Sequence, residues 1–162
     1  MTHFPGLGEV VVFYPENDNV TRLSHPMVWE FTKYCLSVKP KDGFADAQHF
    51  EPAKLRQWQD FLIVLDQVPE TNDFQYRSYG QGIAKVSGFD MTGRHVSDFD
   101  SEVGRFFLRQ YRECIADRTL IHSEHYRVHS VTNCEWQRVL CPVQDGNKVS
   151  IALVNIPIPR TC

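Results

Sequence analysis

The stretch FQYRSYGQGIAKVSGFDMTGRHVSDF, residues 74–99, carries the reading of the whole chain. Its first residues alternate, Phe74, Tyr76 and Ser78 against Gln75, Arg77 and Tyr79, the period-two pattern of a strand rich in β-favouring aromatics. Gly80 and Gly82 end the alternation. Residues 83–87 suffice for one or two helical turns, Gly88 suits a helix stop, and DMTGR (90–94) reads as a turn. A dinucleotide-binding loop needs G-x-G-x-x-G, and the third position here is Lys85. No Gly-Lys-Ser/Thr follows, which excludes a P-loop. The glycines are therefore structural. Gly80 and Gly82 are expected to turn the strand sharply, Gly88 to close a short helix and Gly93 to take a positive φ.

Upstream, EPAKLRQWQDFL (51–62) predicts a helix with Leu55, Trp58, Phe61 and Leu62 as its apolar stripe, and the continuous apolar run from Leu62 to Leu65 predicts a buried strand. KPKDGFADAQHF (39–50) reads as a loop. Before it, Ser24 or His25 can cap a helix, Pro26 fits the first turn, and Val28, Phe31, Cys35 and Val38 recur at helical spacing. Residues 9–14 form a short apolar strand. Downstream, DSEVGRFFLRQYRECIADR (100–118) opens with Asp100 or Ser101 as cap and Glu102 where the helix dipole favours it. Val103, Phe106, Phe107, Tyr111, Cys114 and Ile115 share one face of this longest helix, and Arg105, Arg109, Arg112 and Glu113 the other. The remainder predicts strands in 119–131, 134–143 and 148–158, the last two joined by the hairpin signal DGN (145–147). Helices bunched between strand pairs indicate α+β with an antiparallel sheet packed on one face.

Composition narrows the function classes. A chain of 162 residues fits one domain, and 42% hydrophobic with 23% charged residues allows an ordinary core. A net charge of −3 supplies no basic field for a polyanion, so nucleic acid is not an expected partner. The five cysteines are odd in number and lack C-x-x-C spacing, which fits reduced thiols in the cytoplasm. The N-terminus has no basic n-region and no stretch reaches the ~20 apolar residues of a membrane span. A soluble, cytoplasmic protein is expected.

The segment SGFDMTGRHVSDF sets Gly88-Phe89, Gly93-Arg94 and Asp98 in a characteristic spacing before the long helix. With the lead-in YRSYGQGI and the later strand EWQRVLCPV, it resembles the PAS sensor-domain superfamily, and within it a divergent PAS-like family of small proteobacterial proteins. The resemblance covers residues 62–158. It implies a five-stranded antiparallel sheet with helices on one face, preceded by an N-terminal strand and helical extension (1–61) and followed by a short tail (159–162). It also implies a cavity between the sheet and the long helix, with Tyr76, Ile83, Phe89, Phe107, Tyr126, Trp136 and Leu153 as candidate walls. Arg138, two residues after Trp136, shares its face. An inward guanidinium there requires a carboxylate from the protein or from an anionic ligand. Arg94 is a second candidate, at the rim.

The expected activity is that of a non-enzymatic sensory or regulatory module that binds an unknown small molecule or a protein partner. PAS domains commonly pair through N-terminal helices, so Met27, Val28, Phe31 and Tyr34 are expected at a homodimer contact. A signalling output domain, a kinase or a cyclic-dinucleotide synthase, is a further implied partner. Residues 81–99 contain no cysteine, which removes flavin–cysteine photochemistry. Alternatives are haem held by His95 or His122, and a small-molecule enzyme on the same scaffold. His122, His125 and His129 invite a metal, but strand alternation sends His122 to the face opposite His125 and His129. No G-x-S-x-G elbow is present.

Overall fold

The two-residue loop Gly146-Asn147 sets the centre of the computed structural model, which describes residues 2–4, 8–17, 25–99, 101–126 and 134–159. Gly146 takes φ +58°, which a side chain at the first loop position of a tight hairpin resists, and Asp145 pairs with Lys148. From there β7 (Cys134–Asp145) and β8 (Lys148–Pro159) run antiparallel over their full length. The other strands are β1 (Thr2–Phe4), β2 (Gly8–Phe13), β3 (Ala45–Asp46), β4 (Leu62–Val68), β5 (Asp73–Tyr79) and β6 (Ile121–Tyr126). The helices are α1 (Pro26–Val38), α2 (Gln81–Ser87) and α3 (Ser101–Asp117). One sheet takes them in the order β1-β2-β6-β7-β8-β4-β5, every neighbour antiparallel, with two-residue β3 pairing parallel to β7. The fold is α+β.

The sheet is buried on both faces, and this corrects the expectation of helices on one face. Leu140, Ile151 and Leu153 join Phe106, Phe107 and Tyr111 of α3 and Ile83 of α2 in one core. Their strand neighbours Val139, Cys141, Ala152 and Val154 meet Val28, Phe31 and Cys35 of α1 in a second core. The five strands expected are likewise exceeded, because β2 pairs with β6 and carries the N-terminal segment into the sheet. Val28 and Phe31 are fully buried in their own chain, and Phe31 meets Trp58 edge-on at 5.2 Å. The stripe on α1 is therefore spent on the sheet, and the expected homodimer contact through Val28 and Phe31 is withdrawn. The residues of α1 that face outward include Trp29 and Leu36.

Local signals are partly confirmed and partly corrected. His25 caps α1, its Nδ1 accepting from Met27 N at 3.1 Å. The predicted helix over 51–62 is instead two short 3₁₀ segments, Pro52–Lys54 and Arg56–Phe61, and the loop after α1 holds β3 and a 3₁₀ turn at Ala47–Phe50. Gly88 (φ +87°) and Gly93 (φ +84°) take the left-handed conformations expected of them. Gly80 does not turn by special dihedrals, since its φ is −57°. A Cβ there would lie 2.3 Å from the Asp60 carbonyl oxygen, and one at Gly82 2.8 Å from the same atom. These two glycines are required for close approach.

A buried ion pair ties the N-terminal segment to both cores. Lys39 Nζ lies 2.8 Å from Glu16 Oε1, with the lysine side chain wholly inaccessible. Glu16 Oε2 accepts from Leu120 N at 2.8 Å and Thr119 Oγ1 at 3.0 Å, which fixes the turn into β6. Removing one member strands a charge, and such losses run to about 3–5 kcal/mol. Lys39→Met is expected to destabilise by that amount in urea unfolding. Adding Glu16→Gln is expected to restore part of it, since the amide oxygen still accepts from Leu120; a double variant less stable than Lys39→Met would refute the charge argument. Gly80→Ala is expected to cost about 2–3 kcal/mol by overpacking. Gly88→Ala, which meets open space, should lose only about 1 kcal/mol to backbone strain.

Candidate functional site

Strand alternation along β7 sends Trp136, Arg138 and Leu140 toward α3, while helical spacing brings Phe107, Gln110 and Tyr111 to face them. Arg138 is 1% exposed, the largest of the fully buried side chains. Its guanidinium carbon lies 4.5 Å from the Phe107 ring centre and 5.4 Å from that of Tyr111. Its Nη2 donates to Gln110 Oε1 at 2.6 Å, an oxygen that also accepts from Ser123 Oγ at 3.5 Å. Nε finds no acceptor. The sequence demanded a carboxylate for an inward Arg138. Among the described residues none is paired with it.

Around this cation the sheet and α3 leave a hollow of about 40 Å³. Its walls include Tyr76, Ile83, Phe89, Phe99 and Leu153, with Trp136, Tyr111, His125 and Asn155 toward Arg138. An aromatic chain frames it, from Tyr76 through Tyr79, Phe89 and Phe99 to Phe107, each ring centre 5.5–6.3 Å from the next. The indole Nε1 of Trp136 is buried without an acceptor. Burial pushes the Tyr76 and Tyr111 phenols above their usual pKa, against the pull of the Arg138 charge. Both hydroxyls stay protonated at neutral pH. Cation–π contact with two rings and neutral hydrogen-bond partners, Gln110 and the Tyr111 hydroxyl, offset part of the cost of burying Arg138, and do not neutralise it.

Six of the eight sequence-selected residues, Tyr76, Ile83, Phe89, Phe107, Trp136 and Arg138, line this hollow, as does Leu153. Arg94 does not. It is exposed on the turn that closes the β5 edge, where its carbonyl accepts from Tyr76 N at 2.9 Å and Gly93 N donates to the Tyr76 carbonyl at 2.8 Å. Tyr126 ends β6 opposite Glu135, and its side chain lies outside the described residues. Sequence reasoning did not assign Gln110, Tyr111, His125 or Asn155 to the site. The signals were the three- and four-residue offsets from Phe107 on α3, and the two-residue offset from Leu153 to Asn155 on β8.

The histidines separate as alternation requires. His125 enters the hollow edge-on to Phe107 at 5.7 Å, whereas His122 lies under the other face, stacked on Phe13 at 4.0 Å. His129 lies outside the described residues. His95 opens the 3₁₀ turn Val96–Asp98 in a capping box with Asp98. Neither His95 nor His122 lines the hollow, and about 40 Å³ does not accommodate a porphyrin, so the residues present do not fit the haem alternative. Among the described residues no group of three or more His, Cys, Asp or Glu is placed to hold a metal ion, and no helix is long and apolar enough to cross a membrane. Cys35, Cys114, Cys134 and Cys141 are buried free thiols. Burial pushes Cys35 and Cys114 well above the usual thiol pKa, away from nucleophilic thiolate.

No protein-family model, curated protein or solved structure matches the chain.

His122 links folding to pH. Burial holds its pKa below the ordinary 6.5, the Arg138 charge acts in the same direction, and Glu124, whose Oε1 lies 3.5 Å from Nε2, opposes it. The unfolded chain takes up this proton near pH 6.5 and the folded chain only at lower pH, so this group's stability contribution falls as pH drops below about 6.5. His122→Gln is expected to flatten that decline in urea titrations between about pH 7.5 and pH 5. Equal slopes in both proteins would exclude His122 as the source.

Proposed function

We propose that this chain is a non-enzymatic sensory or regulatory domain of PAS-like type, in which occupancy of the hollow by a small molecule is the signal. The observation that carries the reading is Arg138, a permanently charged side chain held at the wall of an aromatic hollow with no counter-charge among the described residues. The strand arrangement supports it. Strands β5-β4-β8-β7-β6 form a five-stranded antiparallel unit, with α2 and α3 lying in the connection from β5 to β6. That is the order of elements behind the resemblance. Residues 62–158 then form the ligand-holding unit, while 1–61 add strands β1 and β2 beyond β6, the short β3 beside β7, and the helix that covers the second face.

The polar groups around the hollow fit binding better than turnover. They are a cation, three tyrosine hydroxyls, an indole N–H, an amide and a histidine, and the Ser87 hydroxyl donates to the Phe89 carbonyl at 3.2 Å. No nucleophile there stands beside a base in hydrogen-bond reach among the described contacts.

Denaturing mass spectrometry of gently purified protein tests the reading. A low-mass compound is expected to be released in near-stoichiometric amount. Leu153→Trp, which fills the hollow while keeping the residue apolar, is expected to release none. Equal release by the variant would place the ligand elsewhere and overturn the assignment.

A further inference from the structure

We infer that the ligand is a short-chain monocarboxylate, bound through its carboxylate to Arg138 and Trp136. This rests on the sensory reading of the hollow and names the class of molecule that fills it.

Charge gives the sign. Arginine stays protonated in any folded protein, and the contacts of Arg138 are all neutral: the Gln110 amide oxygen and the faces of Phe107 and Tyr111. A buried cation so placed is completed by an anion.

The unsatisfied donors give the geometry. Arg138 Nε–H and Trp136 Nε1–H are both buried and have no acceptor among the described residues, and both residues line the hollow from the same face of β7. Residues two apart on a strand share a face, with Cα atoms ~6.6 Å apart, so both donors belong to the same wall of the hollow, where the two oxygens of one carboxylate can each take one donor. Protonated Tyr76 and Tyr111 add hydroxyls at the same wall.

The remaining space gives the size. A single water centre needs ~10–15 Å³, so about 40 Å³ holds a few heavy atoms in contact. Formate, acetate and propionate are of that scale. Ile83, Phe89 and Leu153 provide an apolar seat for a short alkyl end.

The test is a titration of the dialysed full chain with sodium acetate, followed by thermal unfolding and isothermal calorimetry. Acetamide serves as the neutral isostere, and chloride and phosphate as plain anions. Acetate is expected to raise Tm with concentration, as a ligand of the folded state must, and acetamide, chloride and phosphate are expected to leave it unchanged. Trp136→Phe keeps the ring and removes the donor, and is expected to weaken acetate binding roughly tenfold or more. Arg138→Met is expected to abolish the acetate response while unfolding, without acetate, at a temperature no lower than wild type, because it removes an uncompensated charge. A large drop in that temperature would show that Arg138 is already neutralised within the fold and would refute the inference. Acetamide or phosphate acting as well as acetate would also overturn it, while leaving the hollow as a ligand site. No response to any probe, together with no released compound in mass spectrometry, would overturn the sensory reading itself.

Discussion

The register of the β7–β8 hairpin is the constraint on which everything else rests. Because successive residues of a strand point to opposite faces, pairing Asp145 with Lys148 decides in one step that Trp136, Arg138 and Leu140 look toward α3 while Val139, Cys141 and Val143 look toward α1. A slip by one residue would drive the guanidinium into the apolar layer under Val28 and Phe31. The penalty for burying a charge there enforces the register as strongly as the hydrophobic gain does. A conformation with positive φ at Gly146 is thus tied to the identity of the side chains that face the hollow.

Arg138 differs from an apolar core position of the same burial in what surrounds it. Around it the chain supplies flat aromatic faces, an amide oxygen and hydroxyls, the groups that orient a cation. The buried pair of Lys39 and Glu16 shows what the same fold does when it neutralises a cation for structural purposes, with a carboxylate at 2.8 Å whose second oxygen is occupied by Leu120 and Thr119. One cation has a resident carboxylate and the other, among the described residues, does not. Natural proteins accept such local instability where function needs it.

Much of this was legible in the residue pattern, and the failures share a cause. Period-two alternation found β5, DGN found the central hairpin, and the stripe Phe106, Phe107 and Tyr111 identified the face of α3 that meets the sheet. The six residues that line the hollow came from the resemblance and from the shared face of Trp136 and Arg138, not from periodicity alone. What the pattern could not reveal is which way a stripe is used. The apolar face of α1 looks the same in a linear sequence whether it meets its own sheet or a second molecule. Gly80 and Gly82 were misread for a related reason: a glycine that relieves a turn and one that relieves a distant backbone are identical until residue 60 is placed beside them. Arg94 was misassigned because a turn residue's main chain, here closing a sheet edge, leaves no trace in side-chain chemistry.

That narrow junction at Asp60 joins the start of α2 to the segment before β4 by close backbone approach. Gly80 and Gly82 open α2, and α2 presents Ile83 to the hollow. The ring of Phe61, against which Gly82 is pressed, packs on both cores at once. Phe61 in turn bears on the layer that contains Trp58 and residues of α1. Phe61 thereby joins the packing on the two sides of the sheet, one residue beyond the carbonyl that both glycines approach.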